Sequence, residues 1–159
     1  MALGTTMVGH KMASAGVPTA IHTTAQNQIG DRMLDDQGNE YVYLKGVAAV
    51  AAGVWVSYNA ITYQAVILTA DGVGSVALAM AAVLAANWGW FMVKGFYPSA
   101  SSDTVAGAGG LFIDGTPGRV DDASVAGDYI SGAVSTGADV ANVLPVQLNY
   151  PMVGNTVPA

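Results

Sequence analysis

Gly72-Val-Gly-Ser-Val-Ala-Leu-Ala-Met-Ala-Ala-Val-Leu-Ala-Ala-Asn-Trp-Gly-Trp-Phe-Met-Val93 is the stretch on which the fold turns. It holds no charge between Asp71 and Lys94 and meets the length of roughly 20 residues that a membrane-spanning helix needs. Its composition argues against insertion, because alanine supplies little transfer energy and Asn87, Gly72, Gly74 and Gly89 oppose it. The order of side chains argues for strands. Val76, Leu78 and Met80 recur every second position with only Ala77 and Ala79 between them, the pattern of a strand with one well-filled face. A helix over Val76–Ala86, favoured by its alanines, is the alternative. In the following strand, Trp88, Trp90 and Met92 point one way while Phe91 and Val93 point the other. A strand apolar on both faces is buried on both sides or lies at a subunit contact, so Trp88, Trp90 and Phe91 are read as core or interface residues.

Outward from this pair the chain continues to read as β-structure. Asp35-Asp-Gln-Gly-Asn39 is a turn, and Glu40-Tyr-Val-Tyr-Leu-Lys45 alternates after it. Val54–Tyr58 and Ile61–Leu68 are rich in β-branched and aromatic residues. Beyond a loop at Pro98–Ser102, short strands are expected at Thr104–Ala106, Leu111–Ile113, Gly118–Val120, Tyr129–Val134 and Asn142–Leu148, with a hairpin around Asp114-Gly115. Short strands with frequent turn signals predict an all-β domain, a small β-barrel or β-sandwich, over residues 35–150. Residues 1–34 show no period of 2 or 3.6 and read as an extended N-terminal arm ordered by contact, or as a plain tail. Residues 151–159 read as a short extended C-terminal tail.

Composition narrows function more than it names it. The 159 residues include 20 glycines, 10% charged residues and a net charge of −6, which disfavours a nucleic-acid partner held by phosphate contacts. The absence of cysteine excludes disulfides, thiolate metal sites and thiol nucleophiles. The first 20 residues lack the continuous apolar core of a secretory signal. Only His10 and His22 offer imidazole, both in the arm, where a triad is hard to hold rigid and where their separation fits no compact metal spacing. Two acidic groups, Asp35/Asp36/Glu40 and Asp121/Asp122/Asp128, lie where aspartate forms turns, with a calcium site as the alternative reading. Ala106-Gly-Ala-Gly-Gly110 lacks the lysine and helix start of a phosphate loop. No cofactor, metal or catalytic residue is assigned, and the chain is read as a non-enzyme.

Several segments carry a family resemblance: the opening Met-Ala-Leu-Gly-Thr-Thr-Met-Val-Gly9, Gln28-Ile-Gly-Asp31, Asp36–Lys45, Asn87-Trp-Gly-Trp-Phe-Met-Val-Lys-Gly95 and Leu111-Phe-Ile-Asp-Gly-Thr-Pro-Gly-Arg-Val-Asp-Asp122. In order and extent they resemble the capsid decoration proteins of tailed bacteriophages. The resemblance implies a structural virion protein that binds the outer surface of the head, often as a homotrimer, and stabilises the major capsid protein lattice after assembly in the host cytoplasm. It also implies that the arm contacts the capsid or a neighbouring protomer, with Met7, Val8, His10, Met12, Val17 and Ile21 as the contact residues. A carbohydrate-binding β-sandwich stacking sugars on Trp55, Trp88 or Trp90 is the rival binding role, and a small hydrolase the rival enzyme.

Overall fold

The computed structural model describes residues 18–154. They form eleven strands in one connected sheet and, among the described residues, no helix. The strands are β1 (Ile21–His22), β2 (Arg32–Leu34), β3 (Glu40–Gly46), β4 (Trp55–Tyr58), β5 (Gln64–Ile67), β6 (Gly74–Ala79), β7 (Trp88–Ser101), β8 (Gly109–Ile113), β9 (Val120–Asp121), β10 (Tyr129–Ser135) and β11 (Val143–Val153). The all-β reading holds. The uncharged stretch that opened the question is two strands, β6 and β7, paired antiparallel through Leu78↔Met92 and Ala79↔Phe91. The helical alternative over Val76–Ala86 is overturned. After Ala79 the chain instead reaches Val83, which bridges to Val50, and it turns through Ala86 with φ 65°.

Alternation along three strands builds two cores at once. On β3, Val42 and Leu44 face one core and Tyr41 and Tyr43 the other; on β7, Phe91 and Val93 oppose Trp90 and Met92. On β6 the small Ala77 and Ala79 go with the first core, Val76 and Leu78 with the second. The first core is the inside of a ring. Pairings β7–β3, β3–β5, β5–β4, β4–β6 and β6–β7 return to their starting strand, closing five strands on themselves. Its lumen is filled by Val42, Leu44, Val56, Ala65, Ala77, Ala79, Phe91 and Val93, with the alanines making room for the Phe91 ring. The closing pair β3–β5 is parallel and spans only Lys45↔Gln64 and Gly46↔Ala65.

The second core lies against the outside of this ring. β7 is 14 residues long, and its second half leaves the ring to pair with β11, from which β10, β8 and β9 follow in order. Leu111, Ile113, Val120, Ile130, Leu144, Val146 and Leu148 from this extension cluster with Trp55, Leu68, Leu78, Trp90 and Met92 from the ring. A barrel thus carries a sandwich-like layer on one flank.

Several boundaries differ from the sequence reading. Pro98–Ser102 was expected as a loop, yet β7 runs through Pro98 to Ser101. The pairs Leu144↔Ala100 and Val146↔Tyr97 leave Pro98 and Ser99 opposite Pro145, so prolines on both strands sit in a bulge that asks for no ladder donor there. Thr104–Ala106 is loop. The described part of the expected arm contributes strands as well. Within 18–34, β1 pairs with the start of β7 and β2 with β3, and at the other end β11 continues to Val153 inside the expected tail. Gly118 shows what the tight turns require: its φ is +77°, and an added Cβ would stand 2.5 Å from Val54 Cγ1.

Candidate docking surfaces

Tyr43 organises the place where the N-terminal segment meets the domain. Its ring is fully buried, tilted against Trp90 at 5.0 Å between centroids, while its hydroxyl lies 2.7 Å from His22 Nδ1 and accepts from the Gln26 backbone N–H at 3.2 Å. Burial raises the Tyr43 pKa, which keeps the hydroxyl protonated and able to donate. β1 adds the pairs Ile21↔Gly89 and His22↔Trp88. The segment is therefore stitched to the barrel from its first described strand onward. Of the expected contact residues, Ile21 sits in β1 and is 40% exposed; Met7, Val8, His10, Met12 and Val17 lie outside the described residues.

The tryptophans have little ring face to offer. Trp55 and Trp90 are buried, the former donating its indole N–H to the Ser101 carbonyl at 3.0 Å. Trp88 is half-buried with Lys45 Nζ 5.2 Å from its ring centroid, and Phe91 is wholly inside the ring of strands. Stacking a sugar on these indoles has no open platform at two of the three positions.

The acidic turns are committed to the backbone. Asp35 accepts from Gln37 N, Asn39 N, Asn39 Nδ2 and the Tyr41 hydroxyl, all within 2.9 Å. Burial alone would raise its pKa, but these hydrogen bonds outweigh it and hold the carboxyl below its ordinary value. Asp121, Asp122 and Asp128 diverge. Asp128 is buried and accepts from Asp71 N, Asp122 accepts from Ala106 N, and Asp121 accepts from Ala123 N. Asp121 is pushed up by burial first and then by the neighbouring Asp114, Asp122 and Asp103. Among the described residues no group of three His, Asp or Glu side chains converges on a metal position.

A third surface was not anticipated. The β4–β5 turn is braced by Asn59, whose Oδ1 accepts from Ile61 N at 2.8 Å and Thr62 N at 3.0 Å, while Tyr63 N returns to Asn59 O at 2.7 Å with φ 51°. This rigid turn displays Ile61 at 87% exposure. Beside it Val66, Val73 and Met152 stand exposed around a concave groove of about 670 Å³. Among the described residues, no charged side chain lines it. An isoleucine held out by an Asx turn has a faint sequence signal, Asn two positions before it. The groove has none, since it joins residues far apart in the chain.

Comparison of the chain with protein-family models, with curated proteins and with solved structures gave no match.

Proposed function

We propose that this protein is a structural attachment protein of a tailed-phage head, binding the outer surface of the major capsid protein lattice and stabilising it by binding energy without turnover. The observation that carries this reading is the stitching of residues 21–26 onto Tyr43 and the start of β7, which fixes the described start of the N-terminal segment on the barrel. A segment anchored at one end and rich in small and apolar residues gains backbone and apolar contacts on a neighbouring surface, and many copies on a lattice turn weak contacts into firm attachment. The family resemblance of the opening residues, Asp36–Lys45 and Asn87–Gly95 supports the same reading. Self-association as a homotrimer belongs to this proposal, as does residence on the virion. The test is co-sedimentation of the purified full chain with expanded phage heads lacking outer proteins, read with their resistance to heat or chelator. Saturable binding with raised head stability is expected. A protein that stays in the supernatant at every concentration overturns the proposal.

A further inference from the structure

The turn before β3 and the junction of β7 with β11 enclose a second concavity of about 310 Å³, at the small end of the volumes that hold small molecules. One wall is the turn itself. Asp35 fixes it by accepting from the backbone N–H groups of Gln37 and Asn39. The Asn39 amide then links the turn to β7, its Nδ2 donating to Asp35 and its Oδ1 accepting from Phe96 N at 3.3 Å. Gly95 permits that approach: its φ is +119°, and any Cβ there would run into the Asn39 amide. The other wall is a cross-strand row. Phe96 of β7 pairs with Gln147 of β11, which pairs with Val134 of β10, and all three side chains are exposed on the outer face of the sheet, Phe96 at 49%.

The chemistry of the lining selects a ligand class. Gln37 and Gln147 stand exposed on the two walls, and each primary amide presents a donor beside an acceptor, the arrangement that matches neighbouring hydroxyl groups. Among the described residues that line the site Lys94 alone is charged, and Glu40 Oε1, 3.5 Å from its Nζ, balances it. No surplus positive charge is left to draw a phosphate or carboxylate, and the chain's net charge of −6 repels one. An exposed aromatic ring between two amides instead suits an uncharged molecule with an apolar face and a rim of hydroxyls, which is the chemistry of a sugar ring. We propose that this site binds a neutral saccharide, one ring resting on Phe96 with its hydroxyls held by Gln37 and Gln147. Because the turn is already braced by Asp35 and Asn39, little of the site has to be ordered when the ligand arrives. From Trp88, where β1 is held, to Phe96 is roughly 25 Å of strand, so the proposal does not rest on the N-terminal segment or on the capsid reading.

The test is saturation-transfer NMR of the full chain with neutral trisaccharides of glucose, galactose, mannose and N-acetylglucosamine at millimolar concentration, and with glucuronate as a charged probe. At least one neutral trisaccharide should bind. Phe96→Ala and Gln147→Ala should each weaken it about tenfold at unchanged β-sheet circular dichroism, since both side chains are exposed and neither fills a core. Ile61→Ala, in the separate groove, should leave the affinity as it was. Binding of none of the neutral probes would overturn the proposal, as would binding of glucuronate alone, which would assign an anion site. Saccharide binding that survives Phe96→Ala unchanged would place the sugar elsewhere on the molecule and overturn it equally.

Discussion

Tyr150 on β11 donates its hydroxyl proton to Glu40 Oε2 on β3 at 2.7 Å, across 110 positions of sequence. Lys94 of β7 completes the cluster, with Nζ 3.5 Å from Glu40 Oε1 and 5.6 Å from the Tyr150 ring centroid. At Lys94 β7 lies between the ring and the outer layer, pairing with Glu40 of β3 and Asn149 of β11. The three side chains therefore tie the ring to the outer layer where β7 passes from one to the other.

Tyr150→Phe should remove the hydroxyl bond while leaving the ring over Lys94. With Tyr150 46% exposed, solvent screens much of the interaction, and a loss of about 0.5–1.5 kcal/mol in urea unfolding is expected. Glu40→Gln keeps an acceptor for Tyr150 and loses only the ion pair, so it should cost less than Tyr150→Phe. The reverse order would mean that the ion pair, rather than the hydroxyl bond, holds the junction.

The Asp35 turn makes stability sensitive to acid. Its folded pKa lies below the ordinary value of 3.8, so its contribution is full above that value and is lost as pH falls through the folded pKa. Asp35→Ala should destabilise the protein by about 1–3 kcal/mol at neutral pH, since Asn39 and Tyr41 lose a charged acceptor. Its unfolding free energy should also fall less steeply than the wild type's below pH 4. Parallel acid limbs in the two proteins would show that the carboxylate is not the group responsible.

Tyr41 supplies the alkaline counterpart. Burial, followed by its hydrogen bond to Asp35 and that residue's negative charge, raises its pKa well above the ordinary 10. A raised tyrosine pKa favours the protonated native state, so this stability is full below about pH 10 and declines as pH rises toward the folded pKa. Absorbance titration at the phenolate band should show fewer tyrosines ionising in the native wild type than in the unfolded chain near pH 11, Tyr41 and Tyr43 among those protected. Tyr41→Phe should abolish that difference in part; an unchanged titration would place the protected hydroxyl elsewhere.

Inside the ring, Ala79 on β6 faces Phe91 on β7 as a direct cross-strand pair, both with no exposed surface. Phe91→Ala should cost about 3–5 kcal/mol by leaving a cavity, and Ala79→Leu about 1–3 kcal/mol by overfilling the lumen. Because the two share one space, the double variant should be more stable than the sum of the single losses allows. Strict additivity in denaturant melts would mean that they do not compete for the same volume.

How much of this was legible follows from the range of each interaction. The alternation of Val76 and Leu78 with Ala77 and Ala79, and of Trp90 with Phe91, is local, and it announced both the strands and the two-faced burial. Ring closure was not legible, because it depends on two parallel residue pairs and on the alanines leaving space for Phe91 rather than favouring a helix. Pro98 read as a loop because its missing donor is tolerated only where a second proline, Pro145, makes the opposite strand bulge too. The groove was hidden for the same reason: Ile61, Val73 and Met152 meet only after β11 has paired with β6.

The N-terminal segment separates into two parts that truncation can distinguish. The described anchoring contacts begin at Ile21 and His22, where β1 pairs with β7 and His22 meets the Tyr43 hydroxyl. Removing residues 1–17 should leave the β-sheet circular dichroism and the thermal midpoint nearly unchanged, while head binding in the co-sedimentation assay falls at least tenfold. Removing residues 1–30 takes away β1, His22 and Gln26, leaving the buried Tyr43 hydroxyl without those partners; this should lower stability by about 1–3 kcal/mol. If both truncations bind heads as well as the full chain does, attachment does not run through this segment and the proposed role for it is wrong. If removing residues 1–17 already unfolds the domain, the anchor lies earlier than β1 and Tyr43 is not its fixed point.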